Sequence, residues 1–174
     1  AFTTEPFFEL TLLPSDWIFV VGLTNGRLNQ SPVKGDDGFV FYSKVGWDKQ
    51  VDDDLRLRLT GSLYSSNDKG TRDYIYGGDR AGGRYYSTLA TVANGGSDFD
   101  PRFNPRFGYL TAIQLNPFIK FKGLELFGVI ESMSNGDDAV GGSYNQFGIE
   151  TLYRFGATEQ WYLGGRYNNV SGEN

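Results

Sequence analysis

Arg56, Arg58, Glu125, Glu131, Glu150, Arg154 and Arg166 each stand in a stretch where apolar and polar residues alternate. In an extended chain every second side chain points the same way, so these charges share faces with polar neighbours and leave the apolar residues opposite. Together with Lys44, such a set can bias the passage of solutes through its local field, or neutralise itself as an ion-pair network. Glu150 and Arg154, four residues apart on one face, are candidates to neutralise each other. The set is badly placed for acid–base catalysis. Glu125 and Glu131 lie six residues apart along one strand, about 20 Å, too far for joint action. The chain has no histidine and no cysteine, which removes histidine proton transfer, thiol nucleophiles and the usual Cys/His zinc sites. No nucleophile beside a base is visible, and an enzyme is not expected.

Other motifs carry little chemistry. The acidic pairs and triplet Asp36-Asp37, Asp52-Asp53-Asp54 and Asp137-Asp138 offer oxygen ligands, but calcium needs six to eight ligands from a shaped loop and no EF-hand spacing is present. These read as solvated turn carboxylates. Gly77-Gly78-Asp79-Arg80-Ala81-Gly82-Gly83 lacks the Lys-Ser/Thr and following helix of a phosphate cradle, so it reads as a loop. Asn169-Val170-Ser171 matches the glycosylation triplet, a match common by chance. No metal and no cofactor are expected.

The elements that must position the charges are strands. Leu55, Leu57, Leu59 and Leu63 fall on one side of the segment Leu55–Tyr64, with Arg56, Arg58, Thr60, Ser62 and Tyr64 on the other. A helix would scatter those leucines around its circumference, so a period of two selects a strand. Period and turn residues together predict eight strands, at Pro6–Leu13, Trp17–Asn25, Gly38–Asp48, Leu55–Ser65, Asn104–Lys120, Leu124–Asn135, Ser143–Phe155 and Trp161–Asn169. The segment Trp17–Leu23 is apolar on both sides and does not reveal its faces. No long helix is expected, and no apolar run reaches the roughly 20 residues of a membrane-spanning helix.

The links alternate in length. Short ones lie at Pro14-Ser15-Asp16, Gln50 to Asp54, Phe121-Lys122-Gly123 and Gly156 to Gln160; long ones run from Thr24 to Asp37, Ser66 to Asn104 and Gly136 to Gly142. Up-and-down strands put all short links at one end, the layout of an outer-membrane barrel with short periplasmic turns and long extracellular loops. Trp17, Trp47 and Trp161 all fall beside short links, as an aromatic girdle at one membrane boundary requires, and Tyr64, Tyr109, Tyr144 and Tyr167 are assigned to the opposite level. Aromatics are 16% of the 174 residues and glycines number 24, usual for twisted sheets with open turns. A net charge of −5 without a basic cluster argues against nucleic acid as a partner.

Three segments carry a resemblance. Gly78 to Tyr86, Asn116 to Gly128, and Tyr153-Arg154-Phe155 with Gly164 to Asn168 are similar to porin-type outer-membrane β-barrels of the Bacteroidetes kind. The resemblance implies a Gram-negative outer-membrane location, a lipid bilayer as partner and passive diffusion of small polar solutes, or a structural part in an envelope complex. Members of that family are longer, with more strands, and end on an aromatic terminal strand that this chain lacks. With Ala1 in first place, this leads us to expect an excerpt of a larger barrel.

The fold expected over residues 1–174 is therefore a single all-β unit: an antiparallel up-and-down transmembrane β-barrel of about eight strands, with residues 66–104 as a long extracellular loop. Its lumen-facing residues would be Lys44, Arg56, Arg58, Glu125, Glu131, Glu150, Arg154 and Arg166. Two other readings stay open. A closed eight-stranded barrel without a pore would serve as an anchor or adhesion module, presenting Tyr74, Tyr76, Tyr85 and Tyr86 for contact. A soluble lipocalin-like binder would turn its grease inward.

Overall fold

A computed structural model describes residues 7–24, 39–67, 109–135 and 142–173. They form one antiparallel sheet of eight strands: β1 (Phe7–Leu12), β2 (Trp17–Thr24), β3 (Val40–Gln50), β4 (Leu55–Ser66), β5 (Leu110–Phe121), β6 (Leu124–Asn135), β7 (Ser143–Phe155) and β8 (Trp161–Glu173). Each strand pairs only with its sequence neighbours, in the order β1 to β8. The sheet is open, with β1 and β8 as its two edges. β6 and β7 match the sequence expectation to the residue. β3 runs two residues further, to Gln50, and β8 four further, to Glu173, because each stays paired with the strand beside it. Tyr109 precedes β5 as a bend, and 104–108 lie outside the described residues.

The register gives every strand residue a face. Val45, Gly61 and Leu115 pair across β3, β4 and β5, and the next row toward the short links pairs Trp47, Leu59 and Pro117. Beside them, Lys44, Ser62, Gln114 and Glu131 pair on the opposite face. The parity holds across all eight strands, so each face runs unbroken from β1 to β8. β2, ambiguous in sequence, resolves cleanly. Trp17, Phe19, Val21 and Leu23 are exposed on the apolar face, while Ile18, Val20 and Gly22 alternate with them.

One proline sits inside the sheet. Pro117 in β5 has no N–H to give the ladder, and the β5–β6 pairing skips it and Asn116. The Asn116 side-chain amide fills the gap, donating to the Gly128 carbonyl at 3.2 Å. Among the short links, Asp52 accepts from the backbone N–H groups of Asp54 and Leu55, both at 2.9 Å, so that the acidic triplet closes a turn. Gly123 lets the β5–β6 turn approach β7, since a Cβ there would collide with the Arg154 carbonyl.

The short links step along the sheet. Trp17 is level with Trp47, three residues before β3 ends at Gln50; Phe121 pairs Leu55 one residue lower; and Phe155 extends two beyond Tyr153, the partner of Leu124. That is a descent of one residue per strand from β2 to β8. With about 3.3 Å per residue against about 4.8 Å between strands, the rim of short links slants at about 35° to the pairing rows. Strands standing on a level rim would be tilted by that angle, the lower end of the range for barrels.

Candidate functional site

The two faces differ in kind. On one, Phe8, Leu10 and Leu12 of β1, the four β2 residues above, Leu59, Ile113, Ile119, Ile130, Phe147, Ile149, Leu163 and Tyr167 are exposed, Leu163 to 73%. Of the large apolar side chains left exposed, only Phe7, Leu13, Phe39, Val51 and Tyr162 stand elsewhere. Among the described side chains, Lys49 is the only charge in register on this face. None of the β4 leucines on this face is buried: Leu59 is exposed, and Leu55, Leu57 and Leu63 are half-buried.

The opposite face collects Lys44, Arg56, Arg58, Glu125, Glu131, Glu150, Arg154 and Arg166, every residue read from sequence as lumen-facing. It also carries Glu9, Tyr42, Asp48 and Lys120, which form hydrogen bonds or ion pairs and are not among the lumen-facing residues expected from sequence. The signal for Glu9 was visible in Phe7–Leu12, where Glu9 and Thr11 alternate with Phe8, Leu10 and Leu12.

Toward the short links these charges form a lattice. Arg56 grips Asp48 with two hydrogen bonds, from Nε at 2.8 Å and from Nη2 at 2.7 Å. Glu125 accepts from Arg154 Nε at 3.1 Å and lies 3.7 Å from Lys120 Nζ. The Arg58 guanidinium stacks 4.8 Å from the Phe118 ring centroid, and that of Arg154 sits 5.9 Å from the Tyr162 ring centroid. Glu150 stands opposite Arg166 in the β7–β8 register. A hollow of about 390 Å³ opens among Arg58, Phe118, Glu125, Phe127, Glu150, Leu152 and Arg154.

Toward the long links the face is aromatic and more closed. Leu110, Ala112 and Met133 are buried with Tyr64 and Tyr144 packed against them. Tyr42 lies flat over Gly22 to donate its hydroxyl to Glu9 at 2.9 Å, and Tyr144 lies over Gly172 in the same way. A second hollow, about 540 Å³, touches residues from Glu9 on β1 to Glu131 on β6, so the sheet curls toward this face. Twisted strands coil in this way.

The girdle assignment needs correction at two positions. Trp17, Trp47 and Trp161 do stand on the apolar face at the short-link end, and Tyr167 is exposed on that face. Tyr64 and Tyr144 stand on the charged face instead, at even-numbered positions in step with Ser62 and Gln146. Tyr109 is half-buried ahead of β5. The acidic pairs at 36–37 and 137–138, the glycine run at 77–83, tyrosines 74, 76, 85 and 86 and most of the 66–104 link lie outside the described residues. Asn169-Val170-Ser171 lies inside β8 rather than in a loop.

Among the described residues no group of three potential metal ligands converges, and no helix is long and apolar enough to cross a membrane. No family model, curated protein or solved structure matches this chain.

Proposed function

We propose that this chain is part of a porin-like outer-membrane β-barrel, with its apolar face toward acyl chains and its charged face lining a water-filled passage for small polar solutes. The observation that carries the reading is the sorting of residues between two faces of one sheet. A half-exposed leucine or phenylalanine gains on the order of 1 kcal/mol on entering hydrocarbon. A water-soluble sheet would turn that face inward, yet the described residues bury only Val40, Leu110, Ala112 and Met133 as apolar core, all on the charged side. The slanted rim of short links and the three tryptophans beside it fit the same arrangement.

The edges favour a larger barrel over a closed one of eight strands. Among the described residues β1 and β8 do not pair with each other, and each ends the sheet with an uncovered edge. In hydrocarbon each unpaired backbone group costs several kcal/mol, so further strands would have to cover those edges. A wider barrel also leaves its charges around water, where the Asp48–Arg56 and Glu125–Arg154 pairs tune the field and do not plug the lumen. No reaction is assigned. Reconstitution of the full-length protein into planar bilayers tests this: stepwise conductance is expected, with ion selectivity shifted toward cations by Arg58→Glu. Absence of any conductance would remove the pore.

A further inference from the structure

We propose that the apolar face holds a seat for one phospholipid with an amine-bearing zwitterionic headgroup, its acyl chain in a furrow over Gly61 and Ser43 and its headgroup at Lys49 and Asp16. The inference rests on the membrane reading above. Phe19, Val45, Gly61 and Leu115 form one row across β2 to β5, and the next row toward the long links contains Ser43 and Leu63. Small residues at Gly61 and Ser43 therefore leave a diagonal furrow between large apolar walls. Two adjoining hollows of about 510 and 450 Å³ share Val45 and Gly61. Each is within the ~300–1,000 Å³ range of small-ligand sites.

Gly61 is unlike the glycines of the charged face. Gly22 is roofed by Tyr42 and Gly46 by Thr60, so a side chain at either would collide with its neighbour. A Cβ on Gly61 would meet nothing nearer than Leu115 Cδ1, at 3.9 Å. Neither packing nor backbone conformation demands glycine here. Its effect is to keep the furrow open.

The short-link mouth of the furrow has the chemistry of a headgroup site. Trp17 and Trp47 flank it side by side, and indole N–H groups serve at the level of lipid ester carbonyls. Two residues beyond Trp47 stands Lys49, the lone described charge of this face, with its Nζ 3.6 Å from Asp16 Oδ2. Both partners remain substantially exposed. An ammonium beside a carboxylate complements a headgroup that carries phosphate and ammonium, and it matches a purely anionic headgroup less well.

The test places the full chain in bilayers of phosphatidylethanolamine and phosphatidylglycerol. These contain a trace of phosphatidylethanolamine with a photoactivatable diazirine at the end of one acyl chain, and crosslinked peptides are mapped by mass spectrometry. Crosslinks are expected to concentrate several-fold on Phe19, Val45, Leu63 and Ile113. Gly61→Leu should reduce them to the level of the other strands, and Lys49→Ala should halve them or better. Ser43→Leu fills the furrow from the adjacent strand if Gly61→Leu does not fold. An equal yield from a phosphatidylglycerol probe would overturn the headgroup assignment. Even labelling over all eight strands would overturn the seat while leaving the membrane reading intact, and no labelling of the apolar face would overturn both.

Discussion

Replacing Ile130 by arginine separates a lipid-facing sheet from a water-facing one by the sign and size of a single number. Ile130 is 48% exposed on the apolar face, in a row with Leu115 and Phe147. It stands six residues above Leu124, where β6 leaves its short link. Six residues are about 20 Å along the strand and, at a tilt of about 35°, about 16 Å along the membrane normal. In a hydrocarbon band about 25 Å tall this is close to the middle. An arginine at that depth costs about 2–4 kcal/mol, a roughly thirty- to several-hundred-fold loss in the folding equilibrium. On a water-facing surface the same change stays within about 0.5 kcal/mol. The control is Gln114→Arg, on the charged face beside Glu131, which gains a carboxylate neighbour and stays within about 1 kcal/mol of the parent. Denaturant titrations in phospholipid vesicles measure both. If Ile130→Arg folds as well as the parent, or Gln114→Arg costs more, the assignment of the faces is wrong.

Three further outcomes are expected. A double-mutant cycle of Asp48→Ala and Arg56→Ala should show coupling of about 1 kcal/mol at low salt, discounted for the partial exposure of both side chains, and weaker in 1 M salt; zero coupling at low salt would remove the lattice as an energetic unit. Asn116→Ala should cost about 1–3 kcal/mol by stranding the Gly128 carbonyl, and Pro117→Val in the same chain should recover part of that loss by restoring a ladder donor; failure of the second change to help would show that the amide does not stand in for the proline. Gly22→Ala should cost about 1–3 kcal/mol by lifting the Tyr42 ring away from Glu9, and Tyr42→Ala should relieve the clash. Additive losses in that pair would contradict the stacked arrangement.

The sheet was legible in sequence where chemistry alternates sharply, as in the Leu/Arg pattern of β4. It was illegible in β2, because Ile18 and Val20 are apolar like Phe19 and Val21, and only the register against β3 separates them. The last four residues of β8, from Val170 to Glu173, lie beyond the strand expected from sequence and are strand because β7 pairs with them. The charged face emerged from parity alone, but its partnerships did not. Along one strand Glu150 and Arg154 are about 13 Å apart, whereas Glu125 stands one strand over on the diagonal and takes the guanidinium. Height along the strand points Tyr64 and Tyr144 to an aromatic girdle, and parity overrules height. The openness of the sheet has no sequence signature, since edge and interior strands of this kind share one pattern.

The central claim is that odd-numbered β4 residues meet acyl chains and even-numbered ones meet water. Because the sequence contains no cysteine, a nitroxide can be attached to single cysteines placed from Leu57 to Leu63 in bilayer-embedded protein. Collision with oxygen should peak at Leu57, Leu59, Gly61 and Leu63, and collision with a water-soluble nickel chelate at Arg58, Thr60 and Ser62. The opposite phase, or oxygen contact without alternation, would contradict the account.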